Sequence, residues 1–143
     1  MPYKYLEDIG TADIAFEAKG RDLPEVFTAA ADATMNVMIE NIDAIEPRQT
    51  RRIELQNDAV DMLLFDFLQE LIYFKDAERL LLRAREVDIK KKGEVYSLKA
   101  AATGEPLDPA RHQQRADVKA LTLHGFHVER DDSGWKTTAI LDI

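Results

Sequence analysis

An α+β domain, with two helices packed on a largely antiparallel multi-stranded sheet, is the fold class this sequence predicts. Two windows carry apolar residues at helical spacing. About seven short segments alternate apolar and polar residues with period two. The helices come early and the strands crowd the later part of the chain, the order expected of an antiparallel sheet covered by segregated helices. The single domain spans residues 1–143, with no internal repeat, low-complexity segment or linker.

Taken in order, Tyr3 to Glu7 and Thr11 to Ala18 read as short strands broken at Gly10. In the second, Ala12, Ile14, Phe16 and Ala18 share one face, which leaves Asp13 on the opposite face near the strand's start. Asp22-Leu23-Pro24-Glu25 opens the first helix: Asp22 caps it, Glu25 stands at the capping-box position, and Pro24 is tolerated in the first turn. Leu23, Val26, Phe27, Ala30, Thr34, Val37 and Met38 give it one buried face, and Met35 and Met38 read as core filling. Ile42 to Gln49 is a loop with Pro47. Thr50 to Gln56 is a strand with Ile53 and Leu55 inward and Arg52 and Glu54 outward.

Asn57 or Asp58 caps a second helix that runs to Lys75. Its stripe of Val60, Leu63, Leu64, Phe67, Leu68, Leu71 and Phe74, with Phe65 and Ile72 beside it, is broad enough to predict the most deeply buried element of the chain. Leu80 to Lys91 is a long strand whose inward phase slips between Ala84 and Val87, the signature of a bulge. Lys90-Lys91-Lys92 marks a solvated edge and turn. Val95 to Ala102 returns with Tyr96, Leu98, Ala100 and Ala102 on one face. Thr103 to Gln114 is rich in turn formers and reads as a loop. Arg115 to His124 is a strand, and Phe126 to Glu129 continues it or pairs with the last one. The turn Asp131-Asp132-Ser133-Gly134 closes a hairpin onto Trp135–Ile143. There Trp135, Thr137, Ala139 and Leu141 share one side, and Lys136, Thr138, Ile140 and Asp142 the other.

Composition bounds the function. The chain is 45% hydrophobic and 32% charged, as for a globular domain, and it carries no cysteine, which removes disulfides and thiolate metal sites. No run of about 18 apolar residues predicts a membrane helix, and Met1 to Asp8 lacks the apolar core of a signal peptide. These features fit a cytoplasmic protein. A net charge of −8 argues against strong direct nucleic-acid binding and favours a basic protein partner or a cation.

No catalytic triad, nucleophile elbow, Walker loop or dinucleotide fingerprint is present. His112, His124 and His127 fit no helical metal pair. Two groupings remain. The loop and strand from Thr103 to His124 gather Asp108, Arg111, His112, Lys119 and His124, and ionisable groups on a loop borne by a rigid sheet often carry function. Asp61 lies with other carboxylates on the polar edge of the second helix. The other grouping is oxygen-only. Asp142 and the terminal carboxylate of Ile143 follow one another at the end of the last strand, and Asp13 heads an early one. If those strands are neighbours, three carboxylates meet, and hard cations such as calcium or magnesium take oxygen ligands. Otherwise Asp142 pairs with a lysine such as Lys119.

With these residues in view the chain resembles the archeases along nearly its whole length. The resemblance is carried by Tyr5-Leu6-Glu7 followed by Thr11-Ala12-Asp13-Ile14, by Ala33-Thr34-Met35-Asn36-Val37-Met38, and by the segment from Asp61 to Ile72. It continues through Gly104-Glu105-Pro106-Leu107-Asp108-Pro109-Ala110-Arg111-His112, the segment from Val118 to His124, Gly134-Trp135, and the ending Ile140-Leu141-Asp142-Ile143. It implies an α+β protein that is not itself an enzyme. Its implied role is to assist an RtcB-type RNA ligase, promoting guanylylation and multiple turnover in tRNA splicing or RNA repair. RNA methyltransferases are implied as other partners. It also implies a divalent-metal site, calcium in known members, formed here by Asp13, Asp142 and Ile143. The family usually has histidine before Thr-Ala-Asp, where this chain has Gly10.

Overall fold

A computed structural model describes residues 2–6 and 13–143. Among these residues the chain forms strands β1 (Tyr3–Leu6) and β2 (Asp13–Gly20), helix α1 (Leu23–Met38), a short 3-10 turn (Ile42–Ala44), strand β3 (Gln49–Asn57) and helix α2 (Val60–Glu78). Strands β4 (Leu80–Lys92), β5 (Val95–Pro106), β6 (Ala120–Asp131) and β7 (Gly134–Asp142) follow. The predicted α+β class holds, but the strands divide into two antiparallel sheets, ordered β1-β2-β7-β6 and β3-β5-β4. Both helices touch both sheets: α1 packs on β2, β7 and β4, and α2 on β3, β4 and β6.

Helix α1 starts as its sequence predicts, with the Asp22 carboxylate accepting the Glu25 amide at 2.9 Å. Glu25 reaches back past the cap, to the amide and guanidinium of Arg21. α1 is the central element, not α2. Ten of its 16 residues are buried, against six of 19 in α2. The alanines at 29, 31 and 33 let neighbours approach it on several sides, while Val60, Phe65 and Phe74 of α2 stay half-buried. Neither Asn57 nor Asp58 caps α2. Its N-cap is Ala59, and the Asn57 side chain closes a tighter turn by accepting the Ala59 amide at 3.0 Å.

The predicted bulge in β4 lies at Arg85, where the register with β5 shifts between Ala84 and Glu86. β5 extends through Thr103–Pro106, which the sequence reads as loop. Gly104 explains it: a Cβ there would run into the Leu81 carbonyl oxygen, so glycine serves close strand contact and not a turn. Conversely, Arg115–Lys119 is not a strand of a sheet. Its Arg115 and Ala116 amides bond to the carbonyls of Met38 and Val37, at the end of α1. β6 begins at Ala120, runs through Phe126–Glu129 and pairs with β7. The hairpin turn at Asp132-Ser133 is as predicted, with the Asp131 carboxylate accepting the Ser133 amide and hydroxyl.

Candidate functional site

Strands β2 and β7 are neighbours, and their register sets Asp13 directly opposite Asp142. Residues paired in this way project from the same face of a sheet. Phe16 and Ala18 of β2, and Thr137, Ala139 and Leu141 of β7, are fully buried on the inner face. Asp13 and Asp142 therefore share the outer one, each partly exposed. Ala120 of β6 stands on the other side of Asp142. The Thr11-Ala12 part of the Thr-Ala-Asp segment, and Gly10 before it, lie outside the described residues.

Residues directly opposite have Cβ atoms about 5 Å apart, and like charges so placed repel. Basic side chains on this face are committed elsewhere: Lys4 and Lys19 each stand 3.8 Å from Glu17, and Lys136 lies 3.2 Å from Glu129. Among the described residues, no ion pair reaches Asp13 or Asp142. The alternative partner, Lys119, meets this residue through the backbone, its amide donating to the Asp142 carbonyl at 2.8 Å. Among the described residues no three side chains of His, Cys, Asp or Glu gather as a metal cluster. The register thus brings two carboxylates together, those of Asp13 and Asp142. An all-oxygen donor set of this kind fits a hard divalent cation.

The second predicted grouping divides. Asp108, Arg111 and His112 come together around Glu105, which is not among the residues the sequence singles out as functional. Glu105 is 3% exposed and His112 1%. The Asp108 amide donates to His112 Nδ1 at 2.9 Å, so the ring carries its proton on Nε2, which donates to Glu105 Oε2 at 2.9 Å. The same carboxylate accepts the Glu46 amide at 2.8 Å and pairs with Arg111, while Arg48 approaches to 3.5 Å. Burial alone would push the Glu105 carboxyl up. The Glu46 amide, Arg111 and His112 outweigh it and hold it at about 2. Oε2 takes the Glu46 amide and His112 while Oε1 faces Arg111, and these contacts tie the Leu107–Lys119 strap to β5. Glu105 could have been found as a carboxylate in a run of small and apolar strand residues with Arg111 and His112 close behind.

Farther along the strap, Lys75 of α2 bonds the Asp117 carboxylate at 2.6 Å and the Val118 carbonyl at 2.8 Å. This leads the chain to Lys119 and its bond with Asp142. Asp61 and His124 join neither cluster. The Asp61 carboxylate accepts the amide of Met62 at 2.8 Å in the first turn of α2. His124 is exposed in the four-residue excursion of β6 between Thr122 and His127, where Gly125 has φ +69°.

Residues 3–143 match the model of the Archease protein family (MTH1598/TM1083). The chain is 38% identical to a protein archease of Pyrococcus abyssi over 134 residues, covering 93% of this chain and 94% of that one. It is 34% identical to that of Methanopyrus kandleri over the full length of both. The solution structure of Methanobacterium thermoautotrophicum protein 1598 superposes with a TM-score of 0.85 at 34% identity, covering 99% of each chain. A crystal structure of a Thermotoga maritima archease, described as a possible chaperone, shares the fold at TM-score 0.66 and 21% identity, covering 96% of this chain and 97% of its own. A family match over nearly the entire length, and relatives above 30% identity that it covers end to end, place this chain in the archease family.

Proposed function

We propose that this archease is an accessory protein of an RtcB-type RNA ligase, promoting the ligase's guanylylation and turnover in tRNA splicing or RNA repair. The observation that carries the reading is the Asp13/Asp142 pair, two opposed carboxylates on an open sheet face with no ion-pair partner among the described residues. Asp13, Asp142 and the main-chain carboxylate of Ile143 would hold a divalent cation, calcium first. Such a cation would supply a fixed positive charge, and with it a means of orienting anionic groups at the contact with the ligase. The strands do the positioning, because β2 and β7 are locked in register over eight residue pairs. The Lys119 amide, held through the strap, fixes the end of β7. On this reading the protein favours the guanylylation-competent ligase conformation by binding it more tightly than the alternative.

The test is a guanylylation assay with the cognate ligase. Addition of this protein raises the rate and permits multiple turnover, and Asp13→Asn or Asp142→Asn removes both effects. Unchanged ligase behaviour on addition of the wild-type chain rejects the proposal. Extending the chain by one residue after Ile143 displaces the terminal carboxylate and is expected to weaken metal binding.

A second reading is a chaperone or accessory protein for RNA-modifying enzymes such as RNA methyltransferases; the Thermotoga structure is described as that of a possible chaperone. Affinity capture that recovers a methyltransferase and no ligase would favour it.

A further inference from the structure

A second feature lies at the opposite end of β2 from Asp13. A groove of about 640 Å³ opens between the first half of α1 and strand β4. Its helix wall is the stripe Asp22, Glu25, Ala29 and Asp32, spaced to share one side of α1. Its other wall is four consecutive residues, Arg85 to Asp88. They begin at the bulge, where the alternation of a regular strand is broken, on the outermost strand of the sheet. Among the described residues the outer edge of β4 is free: β4 is the outermost strand of its sheet and pairs only with β5.

Charge selects the occupant. Five carboxylates line the groove (Asp22, Glu25, Asp32, Glu86 and Asp88) against two cations, Lys19 and Arg85. Asp22 is used as the helix cap, Glu25 pairs with Arg21, and Asp32 pairs with Arg83. Glu86 has no ion pair among the described residues, and Asp88 has only Lys90 at 3.8 Å. The β4 wall is thus the uncommitted acidic side. Pro24, Ala29 and Val87 supply apolar surface between the charges.

We propose that this groove takes an extended, lysine- or arginine-bearing segment of a partner protein, added as a further strand on the free edge of β4. Main-chain hydrogen bonds to the edge would supply affinity, and Glu86 and Asp88 the preference for basic side chains.

The test titrates an acetylated, amidated peptide of alternating Lys and Val into the full-length protein, followed by amide chemical shifts. Two control peptides accompany it, one with Glu for Lys and one N-methylated at alternate amides. The basic peptide is expected to shift the amides of Arg85–Asp88 and of the exposed side of α1. Its affinity is expected to fall about fivefold or more between low and moderate salt. Glu86→Lys with Asp88→Lys, both at exposed positions, weakens it about tenfold or more. Equal binding of the acidic peptide overturns the charge selection, equal binding of the N-methylated peptide overturns strand addition, and shifts confined to other surfaces overturn the site. The experiment needs neither metal nor ligase, so its failure leaves the reading of Asp13 and Asp142 untouched.

Discussion

Glu105 and the Asp13/Asp142 pair are both carboxylate centres, and they are opposites. Glu105 is buried, yet an amide, an arginine and a histidine converge on it. Asp13 and Asp142 are partly exposed and face each other without an ion pair among the described residues. The denser cluster of ionisable groups is therefore the structural one. A buried carboxylate persists only when its donors are satisfied. A cation site needs the reverse, acceptors left unsatisfied by the protein. Unspent charge, more than clustering, marks the candidate site.

The contrast can be broken from either side. The largest effect belongs to Glu105→Ala, which strands the His112 Nε2–H, the Glu46 amide and Arg111. It is expected to cost about 3 kcal/mol or more in chemical denaturation. A cost below about 1 kcal/mol would mean the network is not structural. Acid is the next lever. The Glu105 carboxyl is held at about 2 in the folded chain, against an ordinary 4.5. A depressed folded value gives stability that is present above the unfolded value and lost as pH falls through the folded one. Between pH 4.5 and 2, wild type should therefore lose stability faster than Glu105→Gln, measured as Tm against pH. Parallel profiles would contradict the assignment. The smallest effect is on the open face. Asp13→Asn or Asp142→Asn removes like-charge repulsion and, without metal, leaves stability unchanged or raised by about 0.2–1 kcal/mol. A clear loss in either variant would show that these carboxylates have protein partners after all.

Much of this was legible in the sequence because it depends on short-range rules. The Asp22 cap, the phase slip that marks the β4 bulge, and the Asp131–Gly134 hairpin turn are each set within a few residues. The face of Asp13 and that of Asp142 also followed from period-two alternation. Their pairing did not, because β2 and β7 are joined by more than a hundred residues of intervening chain, and only register brings them together. Thr103–Pro106 was misread for a related reason. Gly104 looks like a turn former, and its role, making room for the Leu81 carbonyl, exists only once β4 is beside it. The depth of α1 was hidden because alanines make a weak hydrophobic stripe but admit close neighbours on several sides. Glu105 has a local signal in Arg111 and His112, six and seven residues on, but its donor at Glu46 lies 59 residues away and is visible only in the fold.

The central claim is that the opposed carboxylates form a cation site. Its most direct test is calorimetric titration of calcium into the metal-free full-length chain, beside the Asp13→Asn/Asp142→Asn double variant. The account predicts single-site binding to wild type, with a Tm that rises with calcium concentration, and both lost in the double variant. No binding to wild type, or equal binding to the two proteins, would contradict it.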